Sequence, residues 1–131
     1  MIKFFVPGTP VPQGRPRAYN LGGKIAMYDP PESKAWKKIV AQVAALNRAK
    51  PMDGPLLMTL RFYMPATIAS RKNGITLHTK RPDLDNLCKA IKDALNEICY
   101  KDDAQVCSLI ASKYYANKVE TGVYITIEEI I

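Results

Sequence analysis

One stretch, Leu84 to Ile98, sets the tightest limit on how this chain can fold. Leu84, Leu87, Cys88, Ile91, Ala94, Leu95 and Ile98 recur at helical spacing, so one side of a helix must be covered by other parts of the chain. At about 100° per residue, Asp85, Lys89, Lys92, Asp93 and Asn96 fall on the other side. Runs with a period of two surround this helix in the sequence. Leu56 to Met64 sets Leu56, Met58, Leu60 and Phe62 on one face and Thr59, Arg61 and Tyr63 on the other. In Gln105 to Tyr115, Val106, Ile110 and Tyr114 point one way and Cys107, Leu109 and Ala111 the other. Apolar residues on both faces predict an interior strand. Val123, Ile125 and Ile127 alternate along a last strand.

The first third of the chain adds a strand at Ile2 to Val6 and then a Pro- and Gly-rich loop through Arg17, where no helix can form. Leu21-Gly22-Gly23-Lys24 reads as a hairpin turn, with Ile25 to Tyr28 as a short return strand. Asp29 is the expected cap of a second amphipathic helix, with Pro30 at its first position and Glu32 closing a capping box. Trp36, Ile39, Val40, Val43 and Leu46 carry that helix to about Ala49, and Pro51 stops it. The resulting order is β(β)αβαββ. It predicts one α/β domain of the α+β type over residues 1–131, with a mixed sheet of about four strands and two main helices.

Lys and Arg number 19 against 12 Asp and Glu, a formal charge of +7. That balance fits a polyanionic partner such as nucleic acid, and fits equally a basic protein with a solvated surface. With 47% hydrophobic and 24% charged residues, the chain is globular rather than disordered. Its three cysteines, Cys88, Cys99 and Cys107, form no CxxC and are odd in number. A disulfide framework and a zinc finger are therefore disfavoured, and reduced thiols in a cytoplasmic protein are expected. The opening run to Pro7 is too short for a signal peptide, and no apolar run approaches a membrane span, so no membrane partner is expected. Arg15 and Arg17, the latter pair stiffened by Pro16, lie in the first loop. Arg71, Lys72, Lys80 and Arg81 lie in a second loop, Ala66 to Arg81, that shows no clear period. These six cations are candidates for gripping DNA backbone, since Arg forks match phosphate oxygens. Ordinary basic loops explain them as well. His78, the lone histidine, reads as a bystander or a phosphate contact.

Two acidic pairs bracket the Leu84 helix: Asp83 with Asp85 before it, and Asp102-Asp103 after it. Carboxylates held together repel by about 4 kcal/mol at roughly 4 Å with an effective dielectric near 20. A divalent cation removes that repulsion, and hard oxygen ligands suit Mg²⁺, with Mn²⁺ the alternative. Each pair also has a plain explanation. Asp83 can cap the helix, Asp85 can answer its positive end, and Lys89 can form an exposed i, i+4 pair. Asp102-Asp103 can be a turn. The functional reading places Asp83, Asp85 and one of Asp102 and Asp103 around the ion, for phosphodiester hydrolysis. Lys89, one turn from Asp85, would offset charge gathering on the phosphate. This reading needs the connection after Ile98 to fold the next strand's start back along the helix.

Arg81-Pro82-Asp83-Leu84-Asp85-Asn86-Leu87 with Lys89, then Asp93-Ala94-Leu95-Asn96, then Asp102-Asp103-Ala104-Gln105-Val106, resemble the RusA family of Holliday junction resolvases in motif and in order. Gly14-Arg15-Pro16-Arg17 is similar to the phage-type members. The resemblance implies a Mg²⁺-dependent endodeoxyribonuclease acting on four-way junction DNA as a homodimer, in recombination and repair, inside a bacterial cell and in some cases from a prophage. It places the essential carboxylates on Asp83, Asp85 and Asp103, the essential lysine on Lys89, and a less critical role on Asp102. Paired cuts in a near two-fold substrate also call for a two-fold dimer. A DNA-junction-binding module without catalysis, and a less selective nuclease acting on branched replication intermediates, are the alternatives.

Overall fold

The computed structural model describes residues 1–15 and 17–131, with the side chains of Arg17, Tyr19, Leu21 and Tyr28 outside the described set. The stiffening expected of Pro16 also lies outside it. The elements are β1 (Ile2–Pro7), β2 (Arg17–Leu21), β3 (Lys24–Tyr28), α1 (Pro31–Leu46), β4 (Leu56–Met64), α2 (Ile68–Lys72), α3 (Leu84–Ala94), a 3₁₀ turn (Asp103–Gln105), β5 (Val106–Tyr115) and β6 (Gly122–Glu129). Four strands form a mixed sheet in the order β1-β6-β4-β5, and β2 with β3 forms a separate hairpin. This is the α/β architecture expected from the sequence, with two long helices and a short third.

Both long helices pack on one face of the sheet. Leu56, Met58, Leu60, Phe62 and Met64 of β4 and Val123, Ile125 and Ile127 of β6 supply the inward side chains. Trp36, Val40 and Ala44 of α1 and Leu87, Cys88 and Ile91 of α3 close over them. Full burial of a Leu or Phe side chain contributes roughly 1.5–3 kcal/mol, so this layer holds the fold. Among the described residues neither long helix packs on the opposite face of the sheet, where Arg61, Tyr63 and Tyr124 stand.

β4 and β5 run parallel, so the chain must return to its starting end between them. The return passes through α2, a loop and α3. Parallel pairing therefore puts the start of α3 near the far ends of both strands, and the start of β5 at the near end.

Several local expectations are corrected. β5 is an edge strand, not an interior one. A bulge between Leu56 and Leu57 sets Val106 beside Leu56 on the core face, while Ile110 faces outward beside Thr59. Leu109 and Ile110 point to opposite faces, yet are 43% and 56% exposed. Asp29 does not cap α1: Pro30 holds the cap position, without a side-chain bond, and Asp29 accepts from Lys37 Nζ at 2.6 Å instead. The Lys37 ammonium holds the Asp29 carboxyl below its usual range. α1 ends at Leu46 rather than Ala49, because Arg48 turns into the left-handed region at φ 60°. α3 likewise stops at Ala94, and Glu97 at φ 67° turns the chain toward β5. The second loop contains α2, whose Thr67 and Ser70 close a capping box in one turn, too short to show a period.

Candidate active site

The first loop is pinned, not free. Gln13 N–H donates to the Asn86 carbonyl at 2.9 Å, which ties the loop to α3. Gly14 N–H donates to Ser33 Oγ at 2.9 Å, and Ser33 Oγ donates to the Pro12 carbonyl at 2.9 Å, which ties it to α1. Glycine is required at Gly14, since a Cβ there would stand 2.6 Å from Pro30 Cγ. Between this loop and α3 lies a cleft of about 290 Å³, lined by Pro12, Gln13, Arg81, Pro82, Asp83 and Asn86.

Asp83 sits at the cap position of α3 (φ −69°, ψ 142°), yet its carboxylate makes no capping bond. Asp85 lies in the first turn. Both are exposed, and no side-chain hydrogen bond or ion pair holds either one among the described residues. The plain structural role for Asp83 is thus not taken up, and both oxygens pairs remain free for a ligand. Lys89 is exposed one turn further along α3 and forms no ion pair with Asp85 or Asp93.

The loop before Asp83 is held from β5. Lys113 Nζ donates to the Lys80 carbonyl at 2.6 Å and to the Pro82 carbonyl at 2.7 Å. Arg81-Pro82 is a cis peptide. Backbone bonds from His78 N–H to the Lys113 carbonyl, at 3.0 Å, and from Tyr115 N–H to the Thr76 carbonyl, at 2.8 Å, lay the loop along the end of β5. Burial, then the Lys113 charge, push the His78 imidazole below its usual range, and its ring packs on Tyr115. It sits in the wall of the loop as a neutral packing group.

Asp103 stands elsewhere. It opens the 3₁₀ turn, its N–H donates to Asn96 Oδ1 at 2.8 Å, and its neighbours in charge are Lys92, Asp93 and Asp102. Burial, aided by Asp102 and Asp93, raises its carboxyl above the usual range, with Lys92 opposing. Asp102 is taken by a local bond, accepting from Ala104 N–H at 2.9 Å. Gln105 completes that capping box and also donates to the Met52 and Gly54 carbonyls. From Val106 to Lys113, β5 advances about 23 Å at roughly 3.3 Å per residue. Asp103 and the Lys113-bound loop of Asp83 therefore lie at opposite ends of the strand. Among the described residues no three His, Cys, Asp or Glu side chains gather as a metal-binding group. β5 does run back along α3, as far as the Lys113 bonds to the loop before Asp83, but Asp102 and Asp103 precede it and stay beside Lys92 and Asn96, so the two acidic pairs do not meet within one chain.

The other predicted cations are exposed: Arg15 in the pinned loop, Arg71 and Lys72 in the last turn of α2, and Lys80 and Arg81 beside the cleft. The Arg17 side chain lies outside the described residues. Cys88 and Cys99 are buried free thiols, pushed up to about 11 by burial, and Cys107 is exposed. Sequence reasoning missed Gln13, Asn86 and Lys113. Only the D-x-x-Q spacing of Asp102 and Gln105 offered a local signal for the 3₁₀ turn.

The chain is thus a two-layer α/β domain of net charge +7 with an exposed, unpartnered carboxylate pair at the start of α3. The chain is a member of the RusA endodeoxyribonuclease family, whose model matches residues 7–128. It is 42% identical over 134 residues to the uncharacterized protein YqaN of Bacillus subtilis (strain 168), covering 95% of this chain and 94% of that one. It is 28% identical over 131 residues to the crossover junction endodeoxyribonuclease rusA of Lactococcus phage r1t, covering 95% of each. No helix among the described residues is long and apolar enough to cross a membrane.

Proposed function

We propose that this protein is a Mg²⁺-dependent endodeoxyribonuclease that resolves four-way DNA junctions by paired nicks as a homodimer, in recombination and repair. The observation that carries this reading is the pair Asp83 and Asp85, exposed and unpartnered beside an Arg81-walled cleft, in a chain of this family. Their hard oxygens fit Mg²⁺ or Mn²⁺. The chemistry such an ion supplies is Lewis acidity toward the phosphate and a more acidic attacking water. Asp83 and Asp85 hold it, Lys89 offsets charge developing on the phosphate, and Arg15, Arg17, Arg71, Lys72, Lys80 and Arg81 bind backbone.

Asp103 is the third ligand in this reading, and the fold gives a reason to look for it in a second copy. From Val106 to Ser112 the outer edge of β5 has no strand partner among the described residues. Such an edge, apolar at Leu109 and Ile110, is suited to pairing with another chain. A two-fold axis between Leu109 and Ile110 sets Val106 of one copy against Lys113 of the other. The partner's Asp103 then approaches Asp83 and Asp85, and two such sites arise, matching the symmetry of the junction.

The test is a synthetic four-way junction incubated with and without Mg²⁺. Symmetric nicks that require the metal are expected. Tight binding with no cutting under any divalent metal would overturn the reading in favour of a junction-binding module. Equal cutting of linear duplex would overturn the junction selectivity.

A further inference from the structure

The face of the sheet away from the two long helices carries an aromatic row that the cleft does not use. Phe5, Tyr124, Tyr63 and Tyr114 come from four neighbouring strands, β1, β6, β4 and β5. Phe5 and Tyr124 stand 4.6 Å apart between ring centroids, Tyr124 and Tyr63 5.8 Å, and Tyr63 and Tyr114 5.2 Å. Tyr124 is 41% exposed, and the Arg61 guanidinium lies 5.4 Å over its ring. The row ends in a pocket of about 480 Å³ walled by Tyr63, Tyr114 and Tyr115, with Arg71 and Lys118 at its rim.

Two features decide what covers this face. Its charge is cationic along the row: Lys3 and Arg61 stand on the face, Arg71 and Lys118 edge the pocket, and no carboxylate lines it. Glu128, the acidic residue on the same face, sits beside Leu57 at the far end from Tyr63. A second copy laid face to face would set these cations against each other, whereas a polyanion is attracted. The second feature is position. Tyr114 follows Lys113, which holds the Pro82 carbonyl next to Asp83, so the pocket and the cleft share one end of the sheet.

We propose that the Phe5–Tyr124–Tyr63–Tyr114 row and its pocket form a binding site for unstacked nucleotides of a DNA strand. Bases stack on the tyrosine rings, and Arg61, Arg71 and Lys118 take the flanking phosphates. Every base has a π-face, so the site is sequence-tolerant and acts on strand continuity rather than sequence. It rests on the reading of the protein as one that binds DNA, and adds to that reading a demand for opened strands.

Fluorescence anisotropy on the full chain without divalent metal tests this, using a labelled twelve-nucleotide oligothymidylate and an abasic strand of the same length and charge. Stacking of one or two bases predicts about tenfold tighter binding of the base-bearing strand. Tyr124→Ala and Tyr114→Ala should each remove most of that difference, and Tyr124→Phe should keep it. Tyr124 is exposed enough for its truncation to leave the fold intact, and thermal unfolding checks this for both Ala variants. Equal affinity of the wild type for the two strands overturns the proposal, as does a difference that survives both Ala substitutions. A four-way junction measured alongside separates the two levels. Junction binding with no base-dependent difference removes this inference alone, and no binding to any DNA removes the proposed function as well.

Discussion

Lys113→Met tests whether the loop before Asp83 is held in place from β5. The substitution keeps most of the aliphatic stem and removes both donors, to the Lys80 carbonyl at 2.6 Å and the Pro82 carbonyl at 2.7 Å. Hydrogen bonds to a charged donor contribute about 1.5–3 kcal/mol each when shielded. The Lys80 contact is exposed and the Pro82 contact partly buried, so a discounted total of about 2 kcal/mol is reasonable. The loop can open without the core unfolding, so global stability should fall by only about 1 kcal/mol in urea titrations. The larger effect falls on Asp83, whose backbone is joined to Pro82. Single-turnover cutting of a saturated junction in excess Mg²⁺ should slow by about tenfold or more, with junction affinity changed by less than about threefold. Lys113→Arg should recover part of the rate. Unchanged cutting and stability in Lys113→Met would refute the claim that these bonds position the site.

Asp83→Asn should abolish cutting while junction affinity stays within about threefold, since it removes a ligand charge and no phosphate contact; joint loss of folding and binding would point to a structural role. Lys89→Ala should lower the rate by about tenfold or more with little loss of affinity; the reverse pattern on saturated junctions counts against a role in the transition state. Asp103→Asn should unfold at a higher temperature than the wild type at neutral pH while losing cutting. The Asp103 carboxyl is raised in the fold, so ionising it destabilises the native state above that pKa. As pH falls through that pKa the penalty vanishes, and the two proteins should converge in acid; a less stable variant at neutral pH would be the wrong sign. A heterodimer of one Asp83→Asn chain and one Asp103→Asn chain should regain one working site and give single nicks, whereas sites built within one chain would leave it inactive.

The core and the elements were legible because periodicity reports burial directly: Leu56 to Phe62 and Leu84 to Ile98 face the core as their spacing requires. Position in the sheet was not. β5 has apolar residues on both faces, which reads as interior, but Leu109 and Ile110 lie on an open edge, and neighbours in space leave no mark on a single strand. The acidic pairs stood out by charge alone, while their separation follows from a parallel crossover that fixes opposite ends for Asp83 and Asp103. Asp29 misled for a local reason, since Lys37 competes successfully for its carboxylate. Gln13 and Asn86 meet through a backbone amide and carbonyl, and the Lys113 ammonium is received by backbone carbonyls, so no side-chain pairing marks these contacts in the sequence.

The start of α3 is weaker than it needs to be. An Asp at a helix cap normally accepts an amide proton there, a bond that contributes about 1 kcal/mol. Asp83 leaves that bond unmade. Its first turn is therefore prone to fray, and whatever seizes the carboxylate also decides how firmly the helix begins. If the proposed ion binds Asp83, the helix start and the site are linked: an occupied carboxylate would firm the first turn that an empty one leaves loose.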